Sequence, residues 1–211
     1  MGLGDGGVIA SEIVNNDHAS AASEIDARAV DEFGQTLLHK AAREGDVEQV
    51  IRLINKYSAE INARDSDGWT PLLTSCIAGK TDVAIVLLEH GANPSLGDTE
   101  GKITPLMVAS GNLDVTLVKT LVEHQVELNT ESSDQHRTAM HWAAAADAVH
   151  AGMKLNIINI LLSKHADITT DDFGRKPVDY LRGDDISFVR EFETLVEKYS
   201  LIGVACNVET I

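Results

Sequence analysis

The chain has 211 residues, 44% of them hydrophobic, and 33 acidic against 17 basic side chains give it a formal charge of −16. That excess repels phosphate backbones and anionic lipid, which argues against nucleic-acid and membrane partners and weakly favours a protein partner with a basic surface. Arg28 is the first basic residue, no apolar core precedes it, and no stretch approaches the ~18 apolar residues of a spanning helix, so neither a secretory signal nor a membrane span is expected.

Residues 1–30 read as a flexible N-terminus leading into a degenerate N-terminal cap. The first stretch is glycine-rich, and Glu24-Ile25-Asp26-Ala27-Arg28 echoes the later Glu60-Ile61-Asn62-Ala63-Arg64. Beyond it the chain repeats. Thr36, Thr70, Thr104 and Thr138 stand 34 residues apart, and Ala41, Ser75, Ala109 and Ala143 keep the same step. Apolar pairs run in phase with them: Leu53-Ile54, Leu87-Leu88, Leu121-Val122, Leu161-Leu162 and Leu195-Val196. Two ladders in one phase mark a solenoid whose units bury apolar faces against their neighbours. The units are 31–64, 65–97, 98–130 and 131–170, followed by a C-terminal capping repeat over 171–200 and a tail over 201–211.

Within a unit the residues predict two short helices. Threonine caps a helix by accepting a backbone N–H, and Pro71 and Pro105 occupy the first helical position, where the missing N–H costs nothing. Gly79 and Gly91 stand where a left-handed residue ends a helix. Asp and Gly before each threonine suit a hairpin between units. In the cap, Phe188, Phe192, Leu195, Val196 and Tyr199 share one helical face, and Arg190, Glu191, Glu193, Glu197 and Lys198 fill the other.

Several positions break the pattern. Leu37 stands where the first unit's proline belongs, Lys102 and Ile103 lengthen the third hairpin by one residue, Gly111 comes two places early, and His136 or Arg137 takes the place of the fourth turn glycine. Ala143 to Leu161 is 18 residues where the other units use 12, an insertion of six near Asp147 to Gly152. The alanine run Ala143 to Ala146 favours a longer first helix there.

A 34-residue period also suits tetratricopeptide units, so local motifs decide. Asp65-Ser66-Asp67-Gly68-Trp69-Thr70-Pro71-Leu72, Asp98 to Gly101 followed by Thr104-Pro105-Leu106, and Asp31 to His39 resemble the ankyrin-repeat family; Gly91-Ala92-Asn93 and His165-Ala166-Asp167 resemble its second-helix exit. The resemblance covers roughly residues 31 to 200. It implies an all-α repeat solenoid of helix-turn-helix units joined by β-hairpin turns, with His39 and His141 tying adjacent turns together. It also implies a non-enzymatic interaction module, adaptor or inhibitory regulator, monomeric on its own, that meets a protein partner on a concave face of hairpin tips and first helices. Those positions are Phe33, Gln35, Lys40, Arg43, Asp67, Trp69, Thr74, Ile77, Glu100, Lys102, Val108, Asn112, Arg137, Trp142 and Ala145. An accessory subunit or assembly chaperone of an enzyme or degradation complex is the alternative.

Catalytic and cofactor chemistry finds no footing, and no cofactor is expected. Gly2, Gly4 and Gly7 have dinucleotide spacing but no preceding strand. Asp65, Asp67 and Gly68 resemble part of a calcium loop whose first and twelfth positions would be Ala63 and Thr74, not carboxylates. The histidines form no metal-spaced group with a third ligand in view. Gly6 stands where myristoylation requires Ser or Thr. Cys76 and Cys206 read as free thiols in a reducing compartment, so a cytoplasmic chain is expected, with the nucleus as a further location.

Overall fold

A computed structural model describes residues 26–99, 102–147, 151–181 and 186–206. The Gly-rich start and most of the N-terminal cap lie outside those residues, as does the centre of the insertion. The helices in chain order are α1 (Leu37–Glu44), α2 (Val47–Tyr57), α3 (Pro71–Ile77), α4 (Thr81–Glu89), α5 (Pro105–Gly111), α6 (Val115–Glu123), α7 (Ala139–Ala145), α8 (Ala151–Ser163) and α9 (Ile186–Cys206). A short 3-10 helix, Pro177–Leu181, precedes α9. The chain is an all-helical repeat solenoid, with an isolated bridge between Val30 and Thr36 rather than a sheet among the described residues.

Threonine starts each first helix. Thr36, Thr70, Thr104 and Thr138 are extended N-caps, and the Thr70 and Thr104 hydroxyls accept from Leu73 N and Met107 N at 3.2 and 3.3 Å. Between units the chain turns on a recurring aspartate. Asp31 Oδ1 accepts from Phe33 N and Gln35 N, Asp65 Oδ1 from Asp67 N and Trp69 N, and Asp171 Oδ1 from Phe173 N and Arg175 N, all at 2.8–3.1 Å. The fourth hairpin has buried Ser132 instead, whose Oγ accepts from Arg137 N at 3.1 Å. Gly34, Gly68 and Gly174 take positive φ in these turns; His136 and Lys102, both at φ 49°, do so in the two aberrant hairpins.

The first helices form one layer, in which α1 packs on α3, α3 on α5, α5 on α7 and α7 on the 3-10 helix. The second layer runs α2, α4, α6, α8, α9. Leu38, Leu72, Leu73, Leu87, Leu106, Leu121, Ile158 and Leu161 fill the space between the layers and are buried to within 2%. At the C-terminal end Phe192 is buried, and Phe188, Leu195, Val196 and Tyr199 pack on the same core, while Arg190, Glu191, Glu193, Glu197 and Lys198 are exposed. That helix continues to Cys206, past residue 200, where the cap was expected to end.

The insertion corrects one expectation. Helix α7 has seven residues, no more than α3 or α5, because Ala146 is extended. The added length goes to the connection and to α8, which has 13 residues against nine in α4 and α6. Lys154, only 2% exposed, donates from Nζ to the Ala144 carbonyl at 3.2 Å and so satisfies one of the orphan acceptors at the end of α7.

Candidate functional site

The hairpins pass hydrogen bonds from unit to unit, which places their tips in a row. Ser66 N donates to Phe33 O at 3.0 Å, Thr99 Oγ1 to Asp67 O at 3.3 Å, and Asp172 N to Gln135 O at 3.2 Å. His39 works between the first two units. Its Nδ1 accepts from Thr36 N at 3.2 Å, which leaves the ring proton on Nε2 to be donated to Trp69 O at 2.9 Å. His141 does the same between the fourth unit and the cap, from Thr138 N at 3.2 Å to Arg175 O at 3.1 Å. Burial lowers both imidazole pKa values, so these rings are structural ties.

The residues expected at the surface fall into three groups. Phe33 is 61% exposed at its tip and Ile77 is 42% exposed at the end of α3; Arg43, Asp67, Lys102, Asn112 and Ala145 are also exposed. Gln35, Lys40, Trp69, Arg137 and Trp142 are half-buried. Gln35 donates to Asp65 Oδ2 at 3.3 Å, and Lys40 pairs with Asp31 at 2.9 Å. Thr74 and Val108 are corrections: at 2% and 8% exposure they lie beneath the surface, because α3 and α5 are each flanked by first helices on both sides and backed by a second helix. Glu100 lies outside the described residues.

Two shallow clefts open along the first helices. One, of about 530 Å³, lies where α3 meets α5 and α6, lined by Cys76, Ile77, Ala78, Gly79, Ala109, Asn112, Asp114 and Leu117. Asn112 Nδ2 bridges it, donating to Cys76 O at 3.0 Å. The second, of about 260 Å³, lies between α5 and α7 and gathers Val108, Asn112, Arg137, Trp142 and Ala145 with Gly111 and Ala146. Five expected residues therefore meet in one place. Phe33, Gln35, Lys40, Arg43, Asp67, Trp69 and Lys102 line neither cleft.

Reading the sequence missed the far end of this face. Phe173 is 67% exposed and takes the tip position of Phe33 one array-length earlier. Arg175 lies 4.5 Å from the Phe173 ring and 4.8 Å from the Tyr180 ring, while its guanidinium pairs with Asp171 at 2.9 Å. Burial opposes ionisation of Asp171, but hydrogen bonds from Tyr180, the Arg175 backbone and side chain and the Phe173 N–H outweigh it and hold the carboxyl well below the usual range. The signal was present: Asp171-Asp172-Phe173-Gly174-Arg175 repeats Asp31-Glu32-Phe33-Gly34-Gln35.

No group of three His, Cys, Asp or Glu side chains able to hold a metal occurs among the described residues. Burial pushes the Cys76 thiol up to about 12, which removes it as a nucleophile. No helix among the described residues is long and apolar enough to cross a membrane. What this face offers is stacking, apolar contact and hydrogen bonding.

Comparison with known proteins gives the same family. A profile of ankyrin repeats in three copies matches residues 9–98 and 95–172. The chain is 33% identical over 161 residues to bovine mitochondrial disaggregase, covering 74% of this chain and 23% of that protein. It is 32% identical over 126 residues to the Drosophila transient receptor potential channel pyrexia, covering 60% and 12%. Mouse protein phosphatase 1 regulatory subunit 27 is 37% identical over 70 residues, covering 33% and 45%. The chain thus spans less than a quarter of the first two relatives, and the similarity rests on the repeats. Repeats of this kind mediate protein–protein interaction. A threonine-capped helix pair, a histidine tie between turns and a matching profile over most of its length establish that this chain belongs to the ankyrin-repeat family.

Proposed function

We propose that this chain is a non-enzymatic adaptor or inhibitory regulator that holds a protein partner against its hairpin tips and first helices. One observation carries the reading: the first helices α3, α5 and α7 present no charged side chain, yet half-exposed Trp69 and Trp142 and exposed Phe33 and Ile77 belong to the hairpin tips and first helices. Charge depletion with aromatic enrichment is the composition of an interface centre. The second helices α2, α4 and α6, by contrast, carry Glu48, Arg52, Lys56, Asp82, Glu89, Lys119 and Glu123. The proposed contact set is the expected list without Thr74 and Val108, with Phe173 and Arg175 added.

The charge of −16 suits a partner whose overall surface is basic, since long-range attraction speeds encounter. The chain acts as a monomer in the cytoplasm, with the nucleus as a further location. A second reading, an accessory subunit of an enzyme complex, is favoured by the similarity to a phosphatase 1 regulatory subunit. Affinity capture from native extract, with the captured proteins identified by mass spectrometry, tests both. A partner retained by the parent chain and lost by the folded Trp69→Ala/Trp142→Ala variant is the expected result. Partners retained equally by both would place binding elsewhere, and a partner recovered only as a fixed-stoichiometry complex would favour the subunit reading.

A further inference from the structure

The cleft between α5 and α7 is lined by one cation and no carboxylate, whereas the chain as a whole is acidic. The chain carries −16, but neither helix lining this cleft has an acidic side chain. Near it the Arg175 cation is neutralised by Asp171 at 2.9 Å, and the His136 ring contacts Asp172 at 2.7 Å. Arg137 makes no ion pair among the described residues. Its guanidinium carbon lies 5.0 Å from the Tyr180 ring centre, and Asp134 feels its charge only as the weakest of several influences. A guanidinium stacked on an aromatic ring keeps its N–H edge free for a planar acceptor.

Two hydrogen-bond donors are also left over at this place. Trp142 Nε1 and Arg137 Nε are both buried and have no acceptor among the described residues. Buried donors are matched in most proteins, and an unmatched one is costly. Both residues line the cleft, with the apolar surfaces of Val108, Gly111 and Ala145 beside them. Both nitrogens belong to residues that line the cleft, so a small side-chain turn of the kind common at interfaces would bring them to an incoming acceptor.

We infer that this cleft takes the side-chain carboxylate of an aspartate or glutamate on an extended segment of the protein partner, held by Arg137, with the flanking residue of that segment against the Trp142 ring. The inference rests on the proposed binding face and adds the chemistry of one contact. It does not conflict with a basic partner surface. The net charge biases encounter, whereas Arg137 acts only once the segment is in direct contact with the cleft. Arg137 recognises the carboxylate through parallel charge-assisted N–H bonds, a geometry that lysine cannot copy.

The test uses random linear peptides displayed on phage and selected on the immobilised full chain, followed by titration of the selected peptides in solution. Enriched peptides are expected to share an Asp or Glu at one position. Replacing it by its amide, or making Arg137→Gln, should each weaken binding by about tenfold, and the two changes together should cost little more than either alone. Arg137→Lys should recover only part of the loss, and Arg52→Gln on the second helix α2, outside the proposed contact set, should have no effect. Should Arg137→Gln disturb folding, the amide substitution in the peptide reads the same contact on the unaltered protein. Peptides that lose affinity with Trp69→Ala/Trp142→Ala but carry no required carboxylate would overturn the inference and leave the binding face standing. Peptides indifferent to every one of these variants would overturn both. Failure to enrich any peptide would overturn the inference, since its occupant is a linear segment.

Discussion

Trp142 lies across Gly111: a methyl group at Gly111 would stand 3.0 Å from Cε3 of the indole. This explains why the third unit's glycine comes two places early. It makes room for the tryptophan of the next unit, and Leu113, at φ 57°, takes the left-handed position that Gly79 fills in the second unit. Gly111→Ala should displace the ring and shift Trp142 fluorescence. The melting temperature should change little, because alanine gains up to about 1 kcal/mol of helix propensity against the contact. An unaltered emission spectrum would show that the ring does not depend on this glycine.

Leu87, fully buried between the two layers, reports on the scaffold. Leu87→Ala should destabilise the array by about 2–5 kcal/mol in a denaturant titration, the range for a deleted core leucine. A midpoint equal to that of the parent would mean that α4 does not pack as described.

The histidine ties set a pH dependence. Burial holds His39 and His141 below the ordinary value of 6.5, against the pull of the carbonyls they contact. The unfolded chain therefore takes up protons first as pH falls. The stability the neutral rings contribute is full above about pH 6.5 and is lost as pH drops from there to the lowered folded-state value. Asp31, Asp134 and Asp171 are lowered from 3.8, so their contribution persists above that value and is lost only as pH falls through their own lowered values. Replacing both histidines by leucine should flatten the melting temperature between about pH 7 and about pH 5. An undiminished slope in the double variant would assign it to other groups.

Cys76 supplies a chemical probe of packing. Its thiol is 2% exposed and pushed up to about 12 by burial. In a Cys206→Ser variant, which leaves it the only cysteine of the chain, it should resist a disulfide reagent at about pH 8 and react fully once denaturant is added. Rapid native labelling would show that α3 opens readily.

The scaffold was legible because the signals that specify it are local. Threonine caps, proline at the first helical position and glycines at Gly34, Gly68, Gly79 and Gly91 each solve a backbone problem that few residues solve, so their spacing reports the units directly. Leu113, Gln125 and His165 hold positive φ without being glycine, and their types gave no warning of it. The insertion misled because alanine propensity favours helix whereas Ala146 is extended and Lys154, ten residues beyond Ala144, meets the Ala144 carbonyl from across the connection. Thr74 and Val108 were placed on the surface because register assigns a helix face but not its depth. First helices pressed between neighbours on both sides bury residues that a free helix would expose. Phe173 and Arg175 could have been found by carrying the hairpin register one step into the cap.

The claim that this chain meets its partner with hairpin tips and first helices is tested most directly by the affinity of the Trp69→Ala/Trp142→Ala variant for the partner captured from native extract. The two rings are half-buried and two units apart, and the first helices α3, α5 and α7 beside them carry no charge. Binding should weaken by roughly 2 kcal/mol or more, while helicity and melting temperature change little. Affinity equal to that of the parent in a folded double variant would contradict the account, as would collapse of the fold when the two rings are removed.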